Sequence, residues 1–216
     1  MLPSLYELLD QLGFITRELA VMGLFITGSV IVLAQDWRAS LLGLLGQYLL
    51  AGLVLSRLVL PEVALIKVLV GALICPMLYL AARQAGWGVG RNSLSVGGRR
   101  DIFPAGPPFR LLAIILVGLL AVALNRSYPL PIIPSDVGLG SYWLMLNGLL
   151  IMMLTGHPLK AGQGLLTGII GFELLYSPIE RSLAMVWLLA VVNLLLALAI
   201  AYLTVARDVG PSEGDT

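Results

Sequence analysis

The sequence predicts an all-α integral membrane protein of about seven transmembrane helices, two three-helix groups joined by one further helix, on three observations. The first is composition: 59% of the residues are hydrophobic and 12% charged, with a mean hydropathy of +0.97. An ordinary globular domain has roughly 25% charged residues, so this chain has too little polar surface to cover itself in water. The second is block length. The apolar residues gather in runs of about 20, which is what a hydrocarbon layer of about 30 Å requires of a helix. The third is the chemistry between the runs, where proline, glycine and charged residues recur. Spans of this length must satisfy their backbone groups internally and so form helices; barrel strands would be shorter and would alternate in polarity.

The runs lie near 15–34, 40–58, 62–83, 109–125, 137–155, 161–178 and 182–206. Gln35-Asp36-Trp37-Arg38 follows the first run, Pro61 and Glu62 open the third, Gly156-His157-Pro158 separates the fifth from the sixth, and Ser177-Pro178 closes the sixth. The expected organisation is a first helix group over 1–83, a cytoplasmic linker over 84–108, a connecting helix with an outer loop over 109–136, a second group over 137–208 and a polar tail over 209–216. The linker is rich in Gly, Arg and Pro; its arginines offer a docking place for a soluble partner or for anionic headgroups. Its GWGVG stretch follows no strand and is no nucleotide fingerprint.

Basic residues give an orientation. With the linker inside, the inner side collects Arg38, Arg83, Arg91, Arg99, Arg100, Arg110, Lys160 and Arg207, and the outer side keeps Arg17, Arg57, Arg126 and Arg181. The positive-inside rule then places the N-terminus outside and the C-terminus in the cytoplasm. The first residues lack the basic start and cleavage site of a signal peptide and are expected to belong to the mature chain. The net charge of +1 gives no reason to expect nucleic acid.

Several reaction classes are excluded by inventory. A single cysteine, Cys75, forms no internal disulfide and cannot hold an iron-sulfur cluster, and with one histidine, His157, the usual metal and nucleophile sites cannot be built. No cofactor and no independent enzymatic activity are expected.

The candidate functional residues are the polar side chains inside the spans. Glu173, in GIIGFELLYSP, is the strongest. A carboxylate in a span costs roughly 2.5–3.5 kcal/mol on insertion scales, and such a group turns toward a cavity, a partner charge or a neighbouring subunit. It reads as a proton carrier or as one half of a helix-bridging ion pair. Lys67, in PEVALIKVLVGALICP, lies at a similar depth and either snorkels to the headgroups or exchanges charge with a nearby carboxylate. Gln47, Asn147 and Asn193 sit near the middles of the second, fifth and seventh spans, as helix-bridging amides or as the lining of a water path. His157 reads as a surface turn residue with the capacity to receive protons. Ala161, Gly162, Gly164, Gly168 and Gly171 allow close helix approach, as in a subunit packed against others.

The two helix groups look like a weak internal repeat. In each, a short basic turn, DWRAS or GHPLKAG, leads into a Gly-rich span bearing Gln47 or Glu173, with offsets that differ by about one helical turn. Two blocks then carry a family resemblance: Trp37-Arg38-Ala39-Ser40 with Gln47, Ile66-Lys67-Val68-Leu69 and Ala81-Ala82-Arg83; and the basic turn through Lys160 with Gly171-Phe172-Glu173-Leu174. On these the chain resembles the hydrogenase-4 component E family, similar to the small three-helix K subunit of respiratory complex I and to its counterpart in Mrp-type sodium/proton antiporters. The resemblance implies a non-catalytic subunit in a prokaryotic plasma membrane, set among antiporter-like proton-pumping subunits, with Glu173 on a line of polar residues along the membrane midplane. The K subunit has glutamates on two successive helices, whereas here the helix after Glu173 offers Asn193, which favours a partial relay or a coupling role.

Overall fold

The computed structural model describes residues 5–34, 36–58, 61–85, 107–129, 133–179 and 182–209. Among them the chain forms seven helices: α1 (Leu5–Leu33), α2 (Trp37–Leu58), α3 (Pro61–Gln84), α4 (Pro107–Ser127), α5 (Ser135–Leu154), α6 (Pro158–Tyr176) and α7 (Leu183–Val209). The protein is an all-α membrane protein, and five of these helices, α2, α3, α4, α5 and α7, are long and apolar enough to cross a bilayer. The linker residues 86–106, with Arg91, Arg99 and Arg100, and the tail from Gly210 lie outside the described residues.

Proline sets several of the boundaries. Pro61, Pro107 and Pro158 are the first residues of α3, α4 and α6, where the missing N–H would have had no helical partner and the fixed φ suits the helix. The breaks fall near where the turn chemistry put them, but α4 already begins at Pro107, inside the expected linker, α5 begins at Ser135, and α7 runs to Val209, into the expected tail. α1 begins at Leu5, well before the apolar run, because a helix continues for as long as its residues tolerate it, whereas hydropathy registers only the lipid-facing part. α2 begins at Trp37, so most of the basic turn is already its first turn. Several hydroxyls inside the helices turn back onto carbonyls of the preceding turn, as in Thr27 to Gly23 (2.8 Å), Ser141 to Val137 (2.9 Å) and Thr204 to Ile200 (2.7 Å). That satisfies them where no water is at hand.

The helices pack as neighbours within each group, α1 on α2 and α2 on α3, then α5 on α6 and α6 on α7. Between groups, α1 meets α5, α2 meets α6 and α3 meets α7, so each helix touches its counterpart. α2 and α6 run in the same direction, since Ser40 near the start of α2 donates to Gln163 near the start of α6, and Thr167 donates to Gln47 one to two turns further on. α4 lies at the edge against α5 and α1, with Leu111, Leu112, Leu116 and Leu119 on the bundle surface.

α6 sits at the centre, and only Phe172 of its residues is exposed on the bundle surface. Glycine makes this possible. A methyl on Gly148 of α5 would lie 2.5 Å from the Gly164 carbonyl oxygen and 2.6 Å from the Gly168 nitrogen, and one on Gly171 would lie 2.8 Å from the Ser141 carbonyl oxygen. The two backbones are therefore in direct contact, the packing mode of small-residue interfaces in membranes. Gly162 faces Ile200 of α7 in the same way. We predict that Gly148→Ala destabilises the bundle by about 1–3 kcal/mol, the usual penalty for overpacking. Gly156→Ala, whose added methyl meets nothing within 4 Å, should leave the thermal midpoint in detergent unchanged. Equal midpoints for the two variants would contradict the α5–α6 contact.

Candidate functional site

A helix screened from lipid on nearly every side is where polar side chains are least costly to place, because neighbouring helices can supply partners in every direction. α6 uses this position. Gln163, Thr167 and Glu173 are all buried along it, at 1%, 0% and 4% exposure. Their separations correspond to about 6 Å and about 9 Å of helix axis.

At one end of this series Glu173 forms an ion pair with Lys67 of α3, Oε2 against the ammonium. The carboxylate is held from the other side as well: Asn193 of α7 donates from Nδ2 to Oε1 at 2.5 Å. Both oxygens are thus engaged, one by a charge and one by an amide, and the three helices α3, α6 and α7 converge on a single carboxyl group. Lys67 is 7% exposed and turns inward, so snorkelling is not its role here. Its ammonium also stands 5.2 Å from the ring centroid of buried Tyr48, within cation–π range. The Oδ1 of Asn193 has no partner among the described residues.

A cavity of about 30 Å³ adjoins the pair, lined by Lys67, Glu173, Asn193 and Ser177 with Leu55 and Val63 among the apolar contributors. Space of that size admits one or two waters, and the unpaired Asn193 oxygen and the Ser177 side chain supply polar partners for them. Ser177 lies one turn beyond Glu173, toward the end of α6, so the cavity approaches the pair from that end of the bundle. The arrangement can hold a proton on either member of the pair, with room for water beside both.

A second polar group occupies the middle of the bundle. Thr167 donates to Gln47 Oε1 at 2.9 Å, and Asn147 Nδ2, Trp143 Nε1 and Gln47 Nε2 converge on Gly28 of α1, at 2.7, 2.9 and 3.5 Å from where a Cβ would stand. These three donors are buried without hydrogen-bond partners among the described residues. A side chain at position 28 would displace the amides, so glycine there is what admits them.

The structure therefore divides the sequence candidates. Glu173, Lys67 and Asn193 come together; Gln47 and Asn147 form a separate group about 9 Å away along α6. His157 is an exposed residue at the start of α6. The sequence reading missed Ser40, Gln163, Thr167, Tyr48, Trp143 and Ser177. A signal was present for some of them: Lys160, Gln163 and Thr167 recur at three- and four-residue steps, a polar stripe on one helical face. Among the described residues no three His, Cys, Asp or Glu side chains gather as metal ligands.

No family model, curated protein or solved structure matches this chain.

Removing one member of a buried pair strands the other, at about 3–5 kcal/mol, whereas replacing both with apolar residues is often neutral. Lys67→Met should therefore destabilise the bundle strongly, and Lys67→Met combined with Glu173→Leu should recover most of that loss. The check is a double-mutant cycle on unfolding in detergent; additive effects would break the link between the two side chains.

Proposed function

We propose that this chain is a non-catalytic membrane subunit of a complex I-like or group 4 hydrogenase-like ion-translocating assembly, where it contributes to proton relay, coupling or assembly beside antiporter-like subunits. The observation that carries the reading is the Lys67–Glu173 pair, buried in an apolar bundle, clamped by Asn193 and reached by a water-sized cavity. Charged side chains at membrane depth are costly and cluster on ion and proton pathways. The resemblance to the hydrogenase-4 component E family rests on residues that include both members of the pair, and it supports the same reading.

The relay function belongs first to Glu173 and Lys67, with Asn193 holding the carboxylate. Gln47 and Asn147 extend a polar line toward the opposite end of the bundle, through Thr167 and the Ser40–Gln163 contact. Redox chemistry, where the assembly is redox-driven, resides in partner subunits. A stand-alone secondary transporter is the competing reading. Such transporters are often built from inverted repeats with broken helices at the binding site. The parallel run of α2 and α6, and the continuity of α6 through Glu173, favour the subunit reading.

The same ion pair also ties three helices together, as an assembly scaffold would require, and one experiment separates the roles. Glu173→Gln and Lys67→Ala are expected to lower proton translocation, measured per assembled complex in proteoliposomes, by more than they lower the yield of complex that co-purifies. Wild-type pumping by both variants would overturn the relay assignment and leave a scaffold.

A further inference from the structure

A second charged feature lies at the other end of α6, apart from the Glu173 site. Lys160, in the first turn of α6, and Arg110, in the first turn of α4, both line a small cleft with Val32, Ile151, Leu154 and Thr155. The two cations are close enough for Arg110 to act electrostatically on Lys160. Like charges side by side in a partly buried cleft repel, and such a pair is stable when an anion lies between them. Among the described residues none supplies one. The Lys160 ammonium donates to the Ala34 carbonyl at 2.5 Å, at the end of α1, and is in no ion pair among those residues. The Nε–H of Arg110 is buried and has no hydrogen-bond partner among the described residues. Both helix starts add to the positive field, since neither α4 nor α6 has an acidic residue in its first turn.

The cleft measures about 10 Å³, room for one oxygen atom and no more. An anion seated there must place a single oxygen between the cations and keep the rest of its body at the mouth. Beside Arg110 in sequence, Phe109, Leu111, Leu112 and Ile115 of α4 are exposed on the bundle surface and give α4 an apolar outer side. α4 crosses from this level, its apolar span beginning at Pro108, so the cations stand at the depth where a bilayer presents phosphates with acyl chains beneath them.

We propose that Arg110 and Lys160 form a binding site for the phosphate of an anionic phospholipid, one phosphate oxygen entering the cleft and the acyl chains lying along α4. Basic pockets between helices are a recurrent way of holding such headgroups. The site ties α4, the edge helix, to the start of α6 and the end of α1 through the lipid, which gives an edge helix with few protein neighbours a fixed place.

The test uses the purified full chain, delipidated in mild detergent, with phosphatidylglycerol, phosphatidylcholine of the same chains, or inorganic phosphate as probe. Phosphatidylglycerol is expected to raise the thermal midpoint and to remain bound as a discrete adduct in native mass spectrometry, while phosphatidylcholine does neither. Arg110→Gln with Lys160→Gln should weaken apparent phosphatidylglycerol affinity by about tenfold or more, and Arg38→Gln with Arg83→Gln, at the same end of the bundle, should leave it intact. If the first double variant does not purify, Lys160→Met alone takes its place. Equal stabilisation by both lipids, an unchanged response in the Arg110 and Lys160 variants, or a full effect from inorganic phosphate would each overturn the proposal. None of these outcomes involves Glu173, so the lipid site stands or falls apart from the relay.

Discussion

A carboxylate inside an apolar bundle has to be compensated by the protein itself, and the position of Glu173 imposes that demand on three helices at once. Lys67 reaches it from α3 and Asn193 from α7, while α6 carries it. None of these partners is near Glu173 by accident of sequence: α3 is separated from α6 by two further helices and the linker. The contact exists because α3 packs on α7 and α6 packs on α7, and that triangle needs α6 at the centre. The central place is in turn open only to a helix whose backbone can touch its neighbour, which is why Gly164, Gly168 and Gly171 face α5. Small residues, central placement and a tolerated carboxylate are thus one dependency rather than three features.

The pair has a property that a lone carboxylate lacks. As ammonium and carboxylate its net charge is zero; after a proton passes from Lys67 to Glu173 both groups are neutral, and the total is still zero. The bundle therefore never holds an uncompensated charge during such a transfer, which is the state that a low-dielectric interior penalises most. Asn193 keeps the carboxyl oriented in both forms, since its amide has a donor for the ionised oxygen and, in Oδ1, an unengaged acceptor. The adjoining cavity leaves room for water beside the pair.

Much of the architecture was legible because lipid leaves few options. Run length gave the helices, and turn residues gave several of their ends, with Pro61 opening α3 and Pro158 opening α6, whereas Pro107, assigned to the linker, turned out to open α4. Glu173 and Lys67 stood out because charge in a span is rare. Their pairing was not legible. Depth along each helix can be counted from sequence, but which face of α3 meets which face of α6 is set by packing between helices far apart in the chain. The same limit hid Thr167 and Gln163, whose roles depend on α2 lying beside α6, and Trp143, which reads as an apolar residue until its Nε1 is seen among buried amides. α6 was read as a span like the others, yet it is less apolar than α2, α3, α4, α5 and α7, because a helix surrounded by protein does not need the apolar surface that lipid demands.

The parallel course of α2 and α6 explains why the two polar groups lie at different depths. Helices running in the same direction place like-numbered turns side by side, so Ser40 meets Gln163 and Gln47 meets Thr167 across a shared interface. The offset from the basic turn to the polar residue is longer by about one helical turn in α6 than in α2. That extra turn carries Glu173 past the level of Gln47, beyond the reach of α2's amide and into the space between α3 and α7. With equal offsets the acid would stand at position 169, on the same helical face but one turn short of the level of Lys67. The departure from an exact repeat is therefore what lets Glu173 find Lys67, and the asymmetry between the two helix groups is a condition of the site.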